Sequence, residues 1–154
     1  YLKEIHHRRL KALTVLKIPM RDLEKRHWSL TGQGTPGYHS KDGEVYLPGR
    51  NLLIFSKAAL FCTLKKIHLM AMGSLAGNPF SDATELFFKK FAQTAKCSLN
   101  FQIKLVAPFR RLKKKDLLQR GQGLPLHLSF SCLSPKGFKP CGQCNKCAER
   151  DKIL

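Results

Sequence analysis

Long apolar stretches are missing from this chain. Its longest uninterrupted runs, Leu52–Phe55 and Ala58–Cys62, hold four and five residues, where a membrane-spanning helix needs about 20. Nothing in it resembles a secretory signal, so a cytoplasmic setting is expected and a disulfide framework is not. Acidic residues are scarce: 10 Asp and Glu stand against 28 Lys and Arg, a formal charge of +18. That imbalance excludes an acidic-tail or mucin-like role and favours polyanionic partners, either nucleic acid or nucleotide phosphates. A solvated lysine-rich surface is the plainer reading of the same numbers. The six histidines show no ligand spacing such as H-E-x-x-H, and no Ser–His–Asp set can be assigned. What remains, 154 residues at 43% hydrophobic content, is enough for one domain with a real core.

Cysteine is where the chain is rich. Cys132, Cys141, Cys144 and Cys147 lie in the stretch SCLSPKGFKPCGQCNKC. Two consecutive C-x2-C steps and a fourth cysteine upstream place four soft ligands within reach of one tetrahedral ion, and Gly137 and Gly142 allow the tight turns this needs. The expectation is a closed, structural zinc site, bound as four thiolates. A ferredoxin-type cluster fits less well, because that run continues to a cysteine followed by proline, and Cys147 leads into Ala148-Glu149-Arg150. A zinc knuckle gripping nucleic acid has the same spacing and stays open at this point. Cys62 and Cys97 read as buried small hydrophobes.

Patterning elsewhere suggests an α/β fold. Residues 1–10 have helical spacing, with Leu2, Ile5 and Leu10 near one face. Strands are expected at 13–19, 67–74 and 101–107, the first and last ending on proline. Residues 51–66 are apolar almost all round, as in a helix packed hard against a sheet. Residues 82–96 open with Asp82-x-x-Glu85, a carboxylate variant of the capping box, and continue with Phe87, Phe91 and Ala95 at core spacing. Another helix opens around Arg110–Asp116, where cations at a helix N-terminus oppose the macrodipole. Strand, helix, strand, helix, strand is the rhythm of a parallel sheet.

Two connections draw attention. Residues 27–51 form a glycine-rich loop long enough to be a lid or ligand cradle. It ends in Pro48-Gly49-Arg50-Asn51 at a helix start, which is either an anion site or a plain turn capped by Asn51. Gly77-Asn78-Pro79-Phe80-Ser81-Asp82 follows the 67–74 strand at its carboxyl end, the edge where open parallel sheets bind ligands. Asp82 either contacts a substrate amine or caps its own helix.

In order along the chain, Leu47-Pro48-Gly49-Arg50-Asn51, Gly77-Asn78-Pro79-Phe80-Ser81-Asp82, Leu112-x-Lys114-x-Asp116-Leu117, Phe130-Ser131-Cys132 and Cys141-Gly-x-Cys144-x-x-Cys147-x-x-Arg150 resemble the 7-cyano-7-deazaguanine synthase family. These are PP-loop ATP pyrophosphatases of queuosine biosynthesis, sometimes called ExsB-like. Ser29-Leu30-Thr31 also resembles a short motif of that family. The resemblance implies a Rossmann-like sheet of the adenine nucleotide alpha hydrolase type with flanking helices. It implies one PP-loop-type domain over 1–154, with a zinc-binding tail at 130–150. The implied reaction uses ATP and Mg²⁺ to adenylate the carboxylate of 7-carboxy-7-deazaguanine. Ammonia then displaces AMP, and a second ATP activates the amide on the way to the nitrile.

By the same resemblance Arg50, Asn51 and Lys114 stand near nucleotide or substrate, and Asp82, Asn78 and Ser29 on the substrate side. The four cysteines hold a structural zinc. The oligomeric state is left open, with a homodimer as one option. Arg50 and Lys114 should converge beyond the carboxyl edge of the sheet, with Lys113 and Lys115 facing solvent. Two departures stand out. Phe80-Ser81-Asp82-Ala83-Thr84 replaces the commoner Tyr-Pro-Asp-Cys-Arg, and the family's Ser-Gly-Gly-x-Asp-Ser phosphate loop occurs nowhere in the sequence. A chain opening in mid-helix without methionine is therefore expected to be the carboxyl-terminal part of such an enzyme, unable to cleave ATP alone. The alternatives are a basic zinc-knuckle protein on RNA or DNA, and another PP-loop ATPase with a different substrate.

Overall fold

The computed structural model describes residues 10–153. They divide into two compact units: Tyr46–Leu117 form one, and the described residues up to Val45 together with those from Leu118 onward form the other. In chain order the helices are α1 (Trp28–Thr31), α2 (Arg50–Leu64), α3 (Glu85–Leu99), α4 (Lys114–Arg120) and α5 (Asn145–Asp151). The strands are β1 (Leu69–Ala71) and β2 (Lys104–Val106).

Within Tyr46–Leu117, β1 and β2 pair in parallel with Leu69 opposite Lys104 and Ala71 opposite Val106, and α3 makes the crossover between them. This is the mixed α/β architecture with a parallel sheet that the βαβ rhythm implies. The sheet is small. The strands expected at 67–74 and 101–107 each contract to three residues. The strand expected at 13–19 does not form: residues 10–20 carry no regular structure and are mostly exposed. Its β-rich composition is not enough, because propensity without pairing does not make a strand. The helix expected over residues 1–10 lies outside the described residues.

α2 starts where Gly49, at φ 71°, turns the chain in a left-handed conformation. It ends in a Schellman arrangement: Ile67 N–H reaches Cys62 O at 2.8 Å, Lys66 N–H reaches Thr63 O at 3.2 Å, and Lys66 itself sits at φ 56°. α3 is capped by Thr84, whose Oγ1 accepts the Phe87 N–H at 3.2 Å. The capping box expected at Asp82-x-x-Glu85 is thus replaced by a cap two residues later. The core forms between these helices and the strands. Phe55 of α2 meets Phe87, Phe88 and Phe91 of α3 at ring separations of 5.5–5.9 Å, backed by Ala59, Met70 and Ile103. Aromatic pairs at these separations add about 0.5–1.5 kcal/mol each beyond area burial.

α2 buries only one face, Asn51, Phe55, Ala59 and Cys62, not the whole circumference its composition suggests. Leu52 and Leu60 remain 48% and 49% exposed. Cys62 is buried as expected, whereas Cys97 is exposed on α3.

Candidate functional site

At the carboxyl end of β1 the chain enters Met72–Thr84, and at the carboxyl end of β2 it enters Ala107–Lys113. Ala76 N–H donates to Leu112 O at 3.0 Å, which ties the two connections together. Arg110 Nη1 lies 2.7 Å from Glu85 Oε2, joining the second connection to the start of α3. Asn78 Oδ1 accepts the Phe80 N–H at 3.1 Å, a side-chain turn that sets up the Pro79 bend. Phe80 then stacks on Tyr46 with centroids 4.9 Å apart.

Two of the residues singled out from sequence meet here. Asn51 backbone N–H donates to Asp82 Oδ2 at 3.1 Å, and Asn51 Nδ2 donates to Asp82 O at 3.1 Å and to Oδ1 at 3.2 Å. Both residues are buried. Asp82 therefore supplies its carboxylate to the first turn of α2 rather than to α3, satisfying a donor that the Gly49 cap leaves open. Arg50, the residue before Asn51, is exposed. Lys114 opens α4 and is half-buried, while Lys113 and Lys115 on either side are exposed. Asp116 accepts the Lys113 N–H at 3.1 Å, placing a carboxylate at the N-terminus of α4 beside the lysines. Ser29 belongs to the other unit, in α1, with Oγ 2.7 Å from His27 Nδ1.

In that other unit the four cysteine sulfurs gather. Cys132, Cys141, Cys144 and Cys147 place their Sγ atoms within 4.8 Å of one another. The Cys144–Cys147 separation is 3.5 Å, and Cys141–Cys147 and Cys132–Cys144 are each 3.9 Å. A tetrahedral ion with metal–sulfur bonds of 2.3 Å spaces its ligands by about 3.8 Å, so the cluster fits a metal ion such as zinc. Gly142, at φ 71°, permits the turn between Cys141 and Cys144. Backbone N–H groups point at the sulfurs: Cys141 N–H at Cys132 Sγ (3.2 Å), Leu133 N–H at Cys144 Sγ (3.4 Å) and Gln143 N–H at Cys141 Sγ (3.5 Å). Burial raises the Cys144 thiol, yet the Leu133 and Cys147 N–H groups and the neighbouring thiol outweigh it and bring it to about 6. Burial and the hydrogen bond with Cys144 push Cys147 up to about 12. Four sulfurs this close repel one another once ionised, a conflict that a dication shared by all four would remove.

The glycine-rich loop reads differently once folded. Residues 36–42 are fastened to the cysteine motif. Asn145 N–H donates to Pro36 O at 3.0 Å and Asn145 Nδ2 to Ser40 O at 2.7 Å. Gly37 pairs with Cys144 in an antiparallel bridge, and Tyr38 Oη donates to Asp151 Oδ2 at 3.1 Å. Lys146 Nζ reaches Asp42 at 3.3 Å and Glu149 at 2.9 Å. Arg150 Nη1 donates to Ser129 Oγ at 3.0 Å and Nη2 to Leu126 O at 3.3 Å, holding the approach to Cys132 against α5. Sequence reasoning passed over Asn145 and Lys146. Their position between two ligands was the available signal, because residues inside a C-x2-C step are carried wherever the metal is fixed.

The chain matches the family model described as queuosine biosynthesis protein QueC over residues 4–154. It is 34% identical over 117 residues to a 7-cyano-7-deazaguanine synthase of Leptospira interrogans, covering 70% of this chain and 48% of that protein. It is 31% identical over 138 residues to one from Caldicellulosiruptor saccharolyticus, covering 83% and 57%. A third, from Leptospira biflexa, is 28% identical over 155 residues, covering 92% and 58%. The chain spans about half the length of the relatives it matches. It belongs to the QueC family.

Proposed function

We propose that this protein works as a 7-cyano-7-deazaguanine synthase-type ligase in queuosine biosynthesis, built on a single PP-loop-type α/β domain of the adenine nucleotide alpha hydrolase class. The observation that carries this reading is the Asn51–Asp82 junction. It joins the Pro-Gly-Arg-Asn and Gly-Asn-Pro-Phe-Ser-Asp motifs beyond the carboxyl end of a parallel strand, where α/β sheets bind ligands.

In this reading ATP, held with Mg²⁺, supplies the adenylate that activates the substrate carboxylate. Arg50, exposed at the start of α2, and Lys114, at the start of α4, face the phosphates as cations whose charge is needed as negative charge develops. Asn51 fixes Arg50 by anchoring the first turn of α2. Asp82 accepts two side-chain-oxygen bonds from Asn51, and an ionised carboxylate has about four lone-pair positions, so it can also accept an amine of a 7-deazapurine. Asn78 stands beside it on the substrate side, and Ser29 is proposed as a substrate contact on the family's short motif alone. Cys132, Cys141, Cys144 and Cys147 would hold zinc in a closed, structural role, and the protein works in the cytoplasm. The exchange of Tyr-Pro-Asp-Cys-Arg for Phe80-Ser81-Asp82-Ala83-Thr84 favours, as a second reading, a PP-loop enzyme acting on a different substrate. The +18 charge suits a nucleic-acid module, but such a module needs no Asn51–Asp82 junction.

The test is complementation. The reading frame carrying this chain is expressed in a bacterium lacking its own synthase, and queuosine is measured in its tRNA. Restored queuosine that Arg50→Ala and Lys114→Ala abolish and Lys113→Ala does not is the expected result. No queuosine from a folded, metal-loaded protein would remove the synthase reading and leave the second one.

A further inference from the structure

Between Cys132 and Cys141 the chain folds back on itself as a hairpin. Lys136 and Lys139 pair across it and exchange both backbone hydrogen bonds, at 3.0 and 3.1 Å. Gly137, at φ 61°, takes the first central position, as a type II′ two-residue turn requires. Phe138 takes the second and is 102% exposed, the most exposed large apolar side chain among the described residues. Pro135 and Pro140 flank the pair, and beneath them the Cys141 N–H donates to Cys132 Sγ at 3.2 Å. The ring is thus presented by a short, closed turn anchored at the cysteine cluster. Residues directly opposite in an antiparallel pair share a face. Lys136 and Lys139 therefore set two like charges against each other, an arrangement that costs stability. Residues 117–148 contain no Asp or Glu to offset it, and Glu149 is held by Lys146 at 2.9 Å.

We propose that this hairpin tip binds a single-stranded nucleic acid, with one base stacked on Phe138 and a neighbouring phosphate held by Lys136 and Lys139. Every base has a face that an exposed ring can stack on, and in a single strand that face is free. A phosphate between the two lysines removes their repulsion and supplies the salt-sensitive part of the affinity. An acidic protein segment would answer the lysines but has no base to lay on the ring. A membrane is a poorer occupant, because one phenyl ring buries far less than a myristoyl chain, which alone gives only marginal binding. A second copy of this chain would bring its own charge of +18 against the lysines. This binding goes beyond the proposed ATP chemistry and does not depend on it.

The experiment follows the fluorescence anisotropy of labelled single strands of about ten nucleotides, as RNA and as DNA, titrated with the metal-loaded full chain. An abasic strand of the same length, a glutamate-rich peptide and phosphatidylserine vesicles serve as rival probes. Phe138→Ala should weaken binding of the intact strand about tenfold and leave the abasic strand unaffected, while Phe138→Trp should preserve binding. Lys136→Ala and Lys139→Ala should each lower the slope of log affinity against log salt by about 0.7. All three positions are exposed, so circular dichroism and metal content should not change. Tighter binding of RNA than of DNA would assign the partner to RNA, and equal binding to single strands of either kind; both support the proposal. Equal affinity for intact and abasic strands would overturn it, because net charge alone would then hold the strand. So would an intact strand indifferent to Phe138→Ala. Binding of vesicles or peptide in place of the strands, abolished by Phe138→Ala, would assign the tip to a membrane or a protein instead.

Discussion

Asn51 and Asp82, 31 positions apart in sequence, are bound to each other by three hydrogen bonds of 3.1–3.2 Å in a buried site. The carboxylate of one connection thereby closes the first turn of a helix that begins in another.

Removing either partner leaves buried donors or acceptors unmatched, which costs about 1–3 kcal/mol. Asp82→Ala and Asn51→Ala should each lower stability by about that amount in urea unfolding. Their double-mutant cycle should return a coupling of about 1–3 kcal/mol. Additive single effects would mean that the two residues act independently.

Metal removal should release a specific segment. Asn145, Lys146 and Asp151 hold residues 36–42, and Cys144 and Cys147 begin the helix that carries all three. Chelation of the purified chain should speed amide exchange and proteolysis within 36–42, with no matching change at Phe55 or Phe88. Elemental analysis should find one zinc per chain; near-stoichiometric iron with acid-labile sulfide would replace that assignment. Cys132→Ser should loosen the same segment.

Alkali should undo this fastening from another side. The hydrogen bond to Asp151 raises the Tyr38 phenol above its ordinary 10.0. Burial lowers the Lys146 ammonium, but Glu149 and Asp42 outweigh it and raise the group above 10.5. Both groups hold their proton more tightly in the folded state. The stability they confer is complete below about pH 10 and is lost as pH rises through their folded values. Tyr38 should therefore ionise later than a free tyrosine in an ultraviolet titration. Tyr38→Phe should flatten the loss of 36–42 protection above pH 10.

Lys66 closes α2 from the left-handed region at φ 56°, a conformation that costs an L-residue about 1–2 kcal/mol and glycine almost nothing. Lys66→Gly should raise stability by about 1 kcal/mol. The gain would appear as a higher urea midpoint with an unchanged slope. A loss would mean that the lysine side chain holds the turn.

The sequence by itself determined the elements whose physics is local. Four thiol ligands within sixteen positions, Cys132 to Cys147, can meet only by closing short turns, so the cluster was legible before any fold was known. The helices α2 and α3 were legible for the same reason, since helical spacing repeats within a few residues, but the face α2 buries was not, nor was the burial of Phe88. Tertiary structure decided the rest. A pattern can show that Asp82 lies near a helix start, but not that it serves α2 while Thr84 caps α3, because both helix ends need acceptors and only packing chooses between them. The β-rich stretch at 13–19 fails as a strand because pairing needs a neighbouring edge. Residues 36–42 acquire their partners from Asn145, 105 positions beyond Ser40. Their backbone groups had to be satisfied somewhere, and only the folded chain brings that side chain within reach.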